Sequence, residues 1–315
     1  MHNPWPGSML KKDRERNASA GVGGMTGLVL QGGGMRGSYS IGALVALSEL
    51  GLDTAFDHVY GVSAGAINGA YFVAGQAELA ARGYVEDLAS KRFISFTRVG
   101  KFLDIDFLID SVVKERKPLD VMKLREAAAT VHVGLTDYRT GAGLTVTNRD
   151  RGIDFAEALR ATAALPLLYG KTVRLDGKEC LDGSTADPVP LFRAVQQGCD
   201  RILLVLTSPL RDQPKPIPWV LNLVVHGLLC RYPDAIRKGV LNMDAPLNDI
   251  QPLLETREGL PEGVSLSVIA PSDHGRLVGH LTRDRERLID CIELGRQDAY
   301  RLFGCTPPAT GKLFV

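Results

Sequence analysis

Cysteine, charge imbalance and long apolar runs are all scarce in this sequence of 315 residues, and each scarcity closes off a class of function. Five cysteines (Cys180, Cys199, Cys230, Cys291 and Cys305) are scattered singly and never form a C-x-x-C pair. An odd, dispersed set supplies neither a disulfide framework nor a structural zinc site, and it fits a reducing compartment. Lysine and arginine number 37 against 36 aspartates and glutamates, a net charge of +1, so no long-range field recruits nucleic acid. The longest apolar run, WVLNLVVHGLLC from Trp219 to Cys230, is interrupted by Asn222 and His226 and is too short to span a bilayer. The N-terminal stretch lacks the apolar core of a signal peptide, and its mixed charges and small residues read as a flexible leader over 1–26. These features predict no metal, no cofactor and a cytoplasmic protein, peripheral at most to the inner face of a membrane.

What is present is concentrated. The stretch VLQGGGMRGSYSIGAL, Val29 to Leu44, places Gly32, Gly33, Gly34 and Gly37 between a short apolar run and a helical pattern. Glycine is costly to order, so such a loop is there to hold something: a nucleotide phosphate or the oxyanion of a reacting ester. LVLQ reads as a buried strand, the spacing of Ile41, Leu44, Val45 and Leu47 as a helix, HVYGVS as a second strand and AGAINGAYFVAGQ as a second helix. Strand and helix alternating with tight turns predict an α/β fold, a mainly parallel sheet sandwiched by helices. Residues 77–130 read as mostly helical up to a break at Pro118, VHVGLTD and GLTVTN as paired strands, and the DGK turn as the tip of a hairpin. RILLVLT and VSLSVIA are further strands, and DQPKPIP reads as a linker. A last helix is predicted from a cap at Ser272 or Asp273 to Gly304, with Leu281, Leu288, Ile292, Ala299 and Leu302 on one face. The chain thus divides into the leader, a catalytic unit over 27–210 and a mostly helical C-terminal extension over 211–315 packed on the same domain.

The second strand runs directly into GVSAG, Gly61 to Gly65, a G-x-S-x-G pattern in its strand–turn–helix context. Gly61 and Gly65 leave room for a strained turn that exposes Ser63 at a helix N-terminus, where an alkoxide is favoured. The plainer alternative is a serine helix cap flanked by chance glycines. Ser63 also discriminates the first loop. Gly32, Gly34 and Gly37 match G-x-G-x-x-G, but that fingerprint needs an acid at the end of the second strand, where the serine elbow stands; Asp57 precedes the strand. The loop therefore reads as a donor of backbone N–H groups to an oxyanion.

A nucleophilic serine needs a base. His2 lies in the leader, His58 and His132 next to or inside strands, His226 on an apolar helix face as a packed core residue, and His274 and His280 near the start of the last helix in solvent positions. None ends a core strand. Asp182, in ECLDGSTADPVPLF, ends a strand and precedes a glycine; an Asp-Gly turn is its bland reading. Asp187, before Pro188, reads as a helix N-cap.

GGGMRG (Gly32–Gly37), GVSAG (Gly61–Gly65) and DGS (Asp182–Ser184), together with RATAALPLLY and ADPVPL, resemble the patatin-like phospholipase family. That resemblance covers residues 27–207 and, more loosely, the rest. It implies a three-layer α/β/α fold and a Ser-Asp dyad without histidine, with Ser63 the nucleophile and Asp182 the general base. It also implies an oxyanion hole from the loop holding Gly32, Gly33, Gly34, Arg36 and Gly37, and a base loop of Gly183 and Ser184. Ser184 departs from the glycine or alanine usual in the family. The implied substrate is a phospholipid or other lipid ester, cleaved through an acyl-enzyme. An ordinary aspartate is a weak base for a serine, so Asp182 is expected to be buried with its pKa raised. KRFISFTRVGKF, with Lys91, Arg92, Arg98, Lys101, Phe93, Phe96 and Phe102, mixes charge and aromatics as a membrane contact does, or as an ordinary half-buried surface does. Arg36 reads either as a phosphate ligand or as an anchor of its loop. Two other functional readings stand beside the dyad: an α/β-hydrolase triad using His274 or His280, and a non-catalytic lipid-binding protein that keeps the fold.

Overall fold

The computed structural model describes residues 24–98, 100–210, 226–242, 250, 252–253 and 259–308. The linker DQPKPIP and the Trp219–Val225 part of the long apolar run lie outside the described residues, as does most of the leader. Among the described residues one sheet is built from β1 (Met25–Leu30), β2 (His58–Val62), β3 (Thr130–Asp137), β4 (Gly143–Thr147), β5 (Val173–Leu175), β6 (Lys178–Asp182), β7 (Cys199–Val205) and β8 (Ser265–Ile269). The pairs β3–β2, β2–β1, β1–β7 and β7–β8 are parallel, whereas β4 and β6 pair antiparallel with β3, and β5 pairs antiparallel with β6. The fold is therefore a mixed, mostly parallel sheet flanked by helices.

Helices among the described residues include α1 (Gly37–Glu49), α2 (Ala64–Val73), α3 (Ala77–Gly83), α4 (Val121–Glu126), α5 (Phe155–Thr162), α6 (Leu191–Gln196), α7 (Asp234–Leu241) and α8 (Arg285–Leu302). Strand β1 shows why the sheet needs cover on both faces. Leu28 and Leu30 enter the larger apolar cluster, with α1, α2, α5 and α8, while Val29 enters the smaller cluster with Leu191 and Ala194 of α6. Helix α8 closes the larger face over α1. Leu288 and Ile292 are buried, each contributing about 1.5–3 kcal/mol. Tyr39 Oη donates to Asp298 at 2.9 Å, and Arg296 pairs with Glu49 at 2.8 Å.

Several local expectations give way to tertiary contacts. Residues 89–98 and 100–104 are not helical: Phe93 and Ile94 turn inward, Ile94 bridges Leu103, and Arg98 and Lys101 pair with Asp104 at 2.9 Å each. Two wider helical turns, Tyr84–Leu88 and Phe107–Arg116, flank that loop. The last helix begins at Arg285, capped by Asp284, because Ser272 is engaged elsewhere: its N–H and Oγ both donate to Asp298, at 3.0 and 2.6 Å. Asp187 is not a cap. Its carboxylate is drawn to Arg193 at 2.8 Å, and α6 starts only at Leu191, after Pro190. His226 is exposed rather than packed in the core.

Candidate active site

The site lies at the carboxyl ends of the central strands. β1 ends at Leu30, which pairs with Gly61 of β2 on one side and Val205 of β7 on the other, so the glycine loop, Ser63 and Thr207 all leave the sheet at the same level. Asp182 arrives from the opposite direction. β4 pairs with His132–Thr136 on one edge of β3. The other edge is shared: β2 occupies Thr130–Gly134 and β6 occupies Leu135–Asp137. Val62 lies opposite Gly134 and Asp182 opposite Leu135, so β2 and β6 meet head to head. That junction brings together residues 119 positions apart, 182 less 63.

Ser63 has φ 52 and ψ −130, a sparsely populated conformation for a side-chain-bearing residue. Its surroundings hold it there. Its N–H donates to Thr162 Oγ1 at 2.9 Å, Thr162 Oγ1 donates to Gly134 O at 2.6 Å, and its carbonyl accepts the Ala66 N–H at 3.1 Å. Gly65 is required by close approach: a Cβ there would stand 2.6 Å from Leu30 O and 2.7 Å from Gln31 O. The hydroxyl makes no capping hydrogen bond to α2, so the plain helix-cap reading fails and the side chain is left for other work.

Asp182 is buried, at 1% exposure. Its N–H donates to Ala164 O at 3.1 Å, its carbonyl accepts from Thr136 Oγ1 at 2.8 Å, and Oδ1 accepts the Ser184 N–H at 2.9 Å. Oδ2 is buried without a formed hydrogen bond. Burial pushes the carboxyl up to about 6, opposed in part by the Ser184 N–H and by the nearby Ser184 and Ser63 hydroxyls.

The remaining predicted residues separate into two groups. Gly32 backs onto the Ser63 and Ser184 side chains, and Gly34 lines a cavity together with Ser63, Ala64 and Asp182. Gly34 sits at φ +55, a left-handed conformation that suits glycine. Among the described residues no acceptor meets the backbone N–H groups of Gly32, Gly33 or Gly34. Arg36 and Gly37 point elsewhere. The Arg36 guanidinium donates to Val278 O at 3.2 Å and Ser208 Oγ at 3.3 Å, which makes it an anchor of its loop, and Gly37 packs against Ala64 and Tyr84. Gly183 packs on Gly134, and Gly61 on Ala66.

The cavity has a volume of about 390 Å³. One face of α2 forms a wall, through Ala64, Ile67, Asn68 and Tyr71, and Leu88, Phe93, Leu108, Val112 and Leu168 are among the apolar residues that complete it. From Ser63 to Tyr71 that wall is about 12 Å long at helical rise. Tyr71 Oη donates to the Lys117 carbonyl, and the Lys117 ammonium is held by Glu86 at 2.6 Å. Lys117 thus stands at the end of the cavity away from Ser63.

Three contributors lie outside the glycine loop, the serine elbow and the DGS turn. Thr162, Thr136 and Thr207 are buried threonines whose hydroxyls bind strand-end or loop carbonyls, those of Gly134, Asp182 and Gly32. Only RATAALPLLY marked one of them. Of the two histidines considered as bases, His280 lines the cavity and His274 does not. The His280 Nδ1 meets Gly33 O at 2.9 Å, not a carboxylate. Among the described residues no group of three or more His, Cys, Asp or Glu is arranged to hold a metal ion, and no helix is long and apolar enough to cross a membrane.

A strand–serine–helix elbow facing a buried aspartate across a mixed α/β/α sheet defines a class, and sequence comparison gives it a family. The profile of the patatin-like phospholipases matches residues 28–195, more than half of the chain, which belongs to that family. The uncharacterized protein YjjU of Escherichia coli (strain K12) is 27% identical over 195 residues, covering 59% of this chain and 53% of YjjU. The chain thus spans about half the length of that relative. Among solved structures, VipD from Legionella pneumophila superimposes with a TM-score of 0.52 at 13% identity, over 89% of this chain and 67% of VipD, a likeness of fold.

Proposed function

We propose that the protein is a serine acyl hydrolase acting on lipid esters of the phospholipase A or lysophospholipase kind, with Ser63 and Asp182 as its dyad. The observation that carries this reading is the raised, buried Asp182 carboxylate, its Oδ2 unengaged, beside Ser63 at one end of an apolar cavity. Ser63 Oγ attacks the ester carbonyl as its proton passes to Asp182 Oδ2. The N–H groups of Gly33 and Gly34 receive the developing oxyanion. Collapse breaks the ester C–O bond, Asp182 returns the proton to the departing alcohol, and the acyl group stays on Ser63. Water, deprotonated by Asp182, then releases the fatty acid and regenerates both side chains. With a pKa of about 6 the carboxylate is ionised at neutral pH, yet far more basic than an ordinary aspartate.

The cavity accepts one acyl chain. A wall of about 12 Å matches roughly ten carbons at about 1.2 Å per bond. Peripheral contact with a lipid surface is supported by Phe96, 57% exposed beneath the Arg283 guanidinium, and by the exposed Lys91, Arg92 and Leu241.

The test is hydrolysis of p-nitrophenyl esters and of phospholipid and lysophospholipid vesicles by wild type, Ser63→Ala and Asp182→Asn. Activity that falls by about 10³-fold or more in both variants, with circular dichroism unchanged, is the expected result. Activity surviving Asp182→Asn would favour a His280 base, a reading supported by that residue's place in the cavity wall. A wild type that binds vesicles but cleaves nothing would leave a lipid-binding protein.

A further inference from the structure

We infer that His280 is a positioning residue that aims the oxyanion-binding N–H of Gly34. This rests on the reading of Ser63 and the glycine loop given above, and it assigns a role to a segment beyond residues 28–195, where the family profile matches.

A trans peptide is planar, so its C=O and N–H point in opposite directions, and whatever holds the carbonyl from behind fixes where the N–H points in front. Each peptide of the loop is held in this way. Thr207 Oγ1 donates to Gly32 O, which orients the Gly33 N–H. Gly33 O accepts from His280 Nδ1 at 2.9 Å and from the Arg36 N–H at 3.0 Å, and the imidazole is the side-chain half of the pair that orients the Gly34 N–H. A carbonyl only accepts, so the imidazole carries a proton on Nδ1.

The same residue holds the far side of Gly34. Its carbonyl accepts the Met35 N–H at 3.0 Å, and a Cβ at Gly34 would lie 2.9 Å from that oxygen. His280 itself is presented by a tight turn, closed by Gly279 N–H to Thr282 Oγ1 at 3.0 Å and Thr282 N–H to Gly279 O at 3.2 Å. Arg36 adds a second tie, from the loop to Val278 O. A base would direct Nδ1–H at a carboxylate and Nε2 at the serine. Here Nδ1–H is spent on the loop, and Asp182 occupies the place beside Ser63.

The discriminating experiment compares His280→Ala, His280→Asn and His280→Gln. The asparagine amide N–H falls where Nδ1–H was, whereas the glutamine amide falls one bond farther out. On a soluble short-chain ester, His280→Ala is expected to lower kcat about 10–100-fold with KM within about twofold, below the loss for removing an oxyanion donor outright. His280→Asn should return kcat to within about threefold of wild type, His280→Gln should not, and the acid limb near pH 6 should persist in all three. Amide hydrogen exchange over residues 32–35, which reads the clamp without catalysis, should quicken in His280→Ala and recover in His280→Asn. Unchanged exchange and kcat in His280→Ala would overturn the inference. So would equal inactivity of the Ala and Asn variants with the acid limb displaced, the mark of a base. A wild type whose Ser63 is not labelled by a fluorophosphonate would bring down the hydrolase reading first, and the inference with it.

Discussion

Strand β2 carries a buried titratable cluster at each end. At its start, His58 Nδ1 meets His132 Nε2 at 2.8 Å, and His132 stacks on Tyr60 with ring centroids 4.3 Å apart. At its finish, Ser63 faces Asp182. Both clusters are displaced from ordinary titration by burial: His132 is pushed down to about 4 and Asp182 up to about 6. Each leaves one buried polar atom unmet, His132 Nδ1 and Asp182 Oδ2. Judged by pKa alone, the histidine pair is as good a candidate for chemistry. What separates them is space and strain. Neither histidine lines the cavity, whereas Ser63 and Asp182 both do, and of these four residues only Ser63 has a left-handed backbone. Perturbed titration marks burial; it marks catalysis when the same group also faces a space that a substrate can enter.

The largest effect that sharpens this contrast is on turnover. Asp182→Asn should cost about 10³-fold or more in kcat, while His132→Gln leaves kcat within about threefold, both measured on a soluble ester. Comparable losses would erase the distinction between the two ends of β2.

Next comes chain length. Gly83 lines the cavity, and a Cβ there would meet only Lys117 Cγ and Val112 Cγ1, each at an ordinary 3.8 Å. Its helical φ of −55 accepts a side chain. Gly83→Leu should therefore shorten the preferred acyl chain by about three or four carbons across an ester series, with acetyl and butyryl ester rates nearly unchanged.

The two clusters also respond to acid through different quantities, activity at one and stability at the other. Asp182 works as a base only when ionised, so kcat/KM should rise through about pH 6 to a plateau. His132 has a lowered folded pKa, so the unfolded chain takes up the proton first. Stability is full above its ordinary 6.5 and is lost as pH falls from there toward about 4. Chemical denaturation against pH should show that loss in wild type and much less of it in His132→Gln, while the activity limb stays in place.

The smallest effect is a gain. Asp182 has a raised folded pKa, so holding it ionised costs stability that grows as pH rises from its ordinary 3.8 through about 6 and is constant above that. Asp182→Asn removes that cost, and a thermal scan at pH 7.5 should show a Tm roughly 2–4 °C higher than wild type.

The sequence was most legible where chemistry is local. The glycine loop, the serine elbow and the DGS turn are short patterns in which a few neighbouring residues set the backbone, and each is read from a handful of positions. The same holds for the Asp176–Gly177 hairpin, whose residues have φ 44 and 76. The head-to-head meeting of β2 and β6 depends on register along β3, which no local pattern states. His280 is exposed, as its place near a helix start suggests, but its contact with Gly33 spans 247 positions and no local pattern states it. The sequence does not choose between ligand and anchor for Arg36 for the same reason: its partners, Val278 and Ser208, belong to distant parts of the chain. Ser272, Asp187 and the 89–104 loop show tertiary partners overriding sound local signals.

The central claim, that Asp182 activates Ser63, is tested most directly by the second-order rate of fluorophosphonate labelling, with the modified residue located by mass spectrometry. A single adduct on Ser63 is expected, with a rate that rises with pH through about 6 and labelling at least about a hundredfold slower in Asp182→Asn. An adduct elsewhere, or Asp182→Asn labelled as fast as wild type, would contradict it.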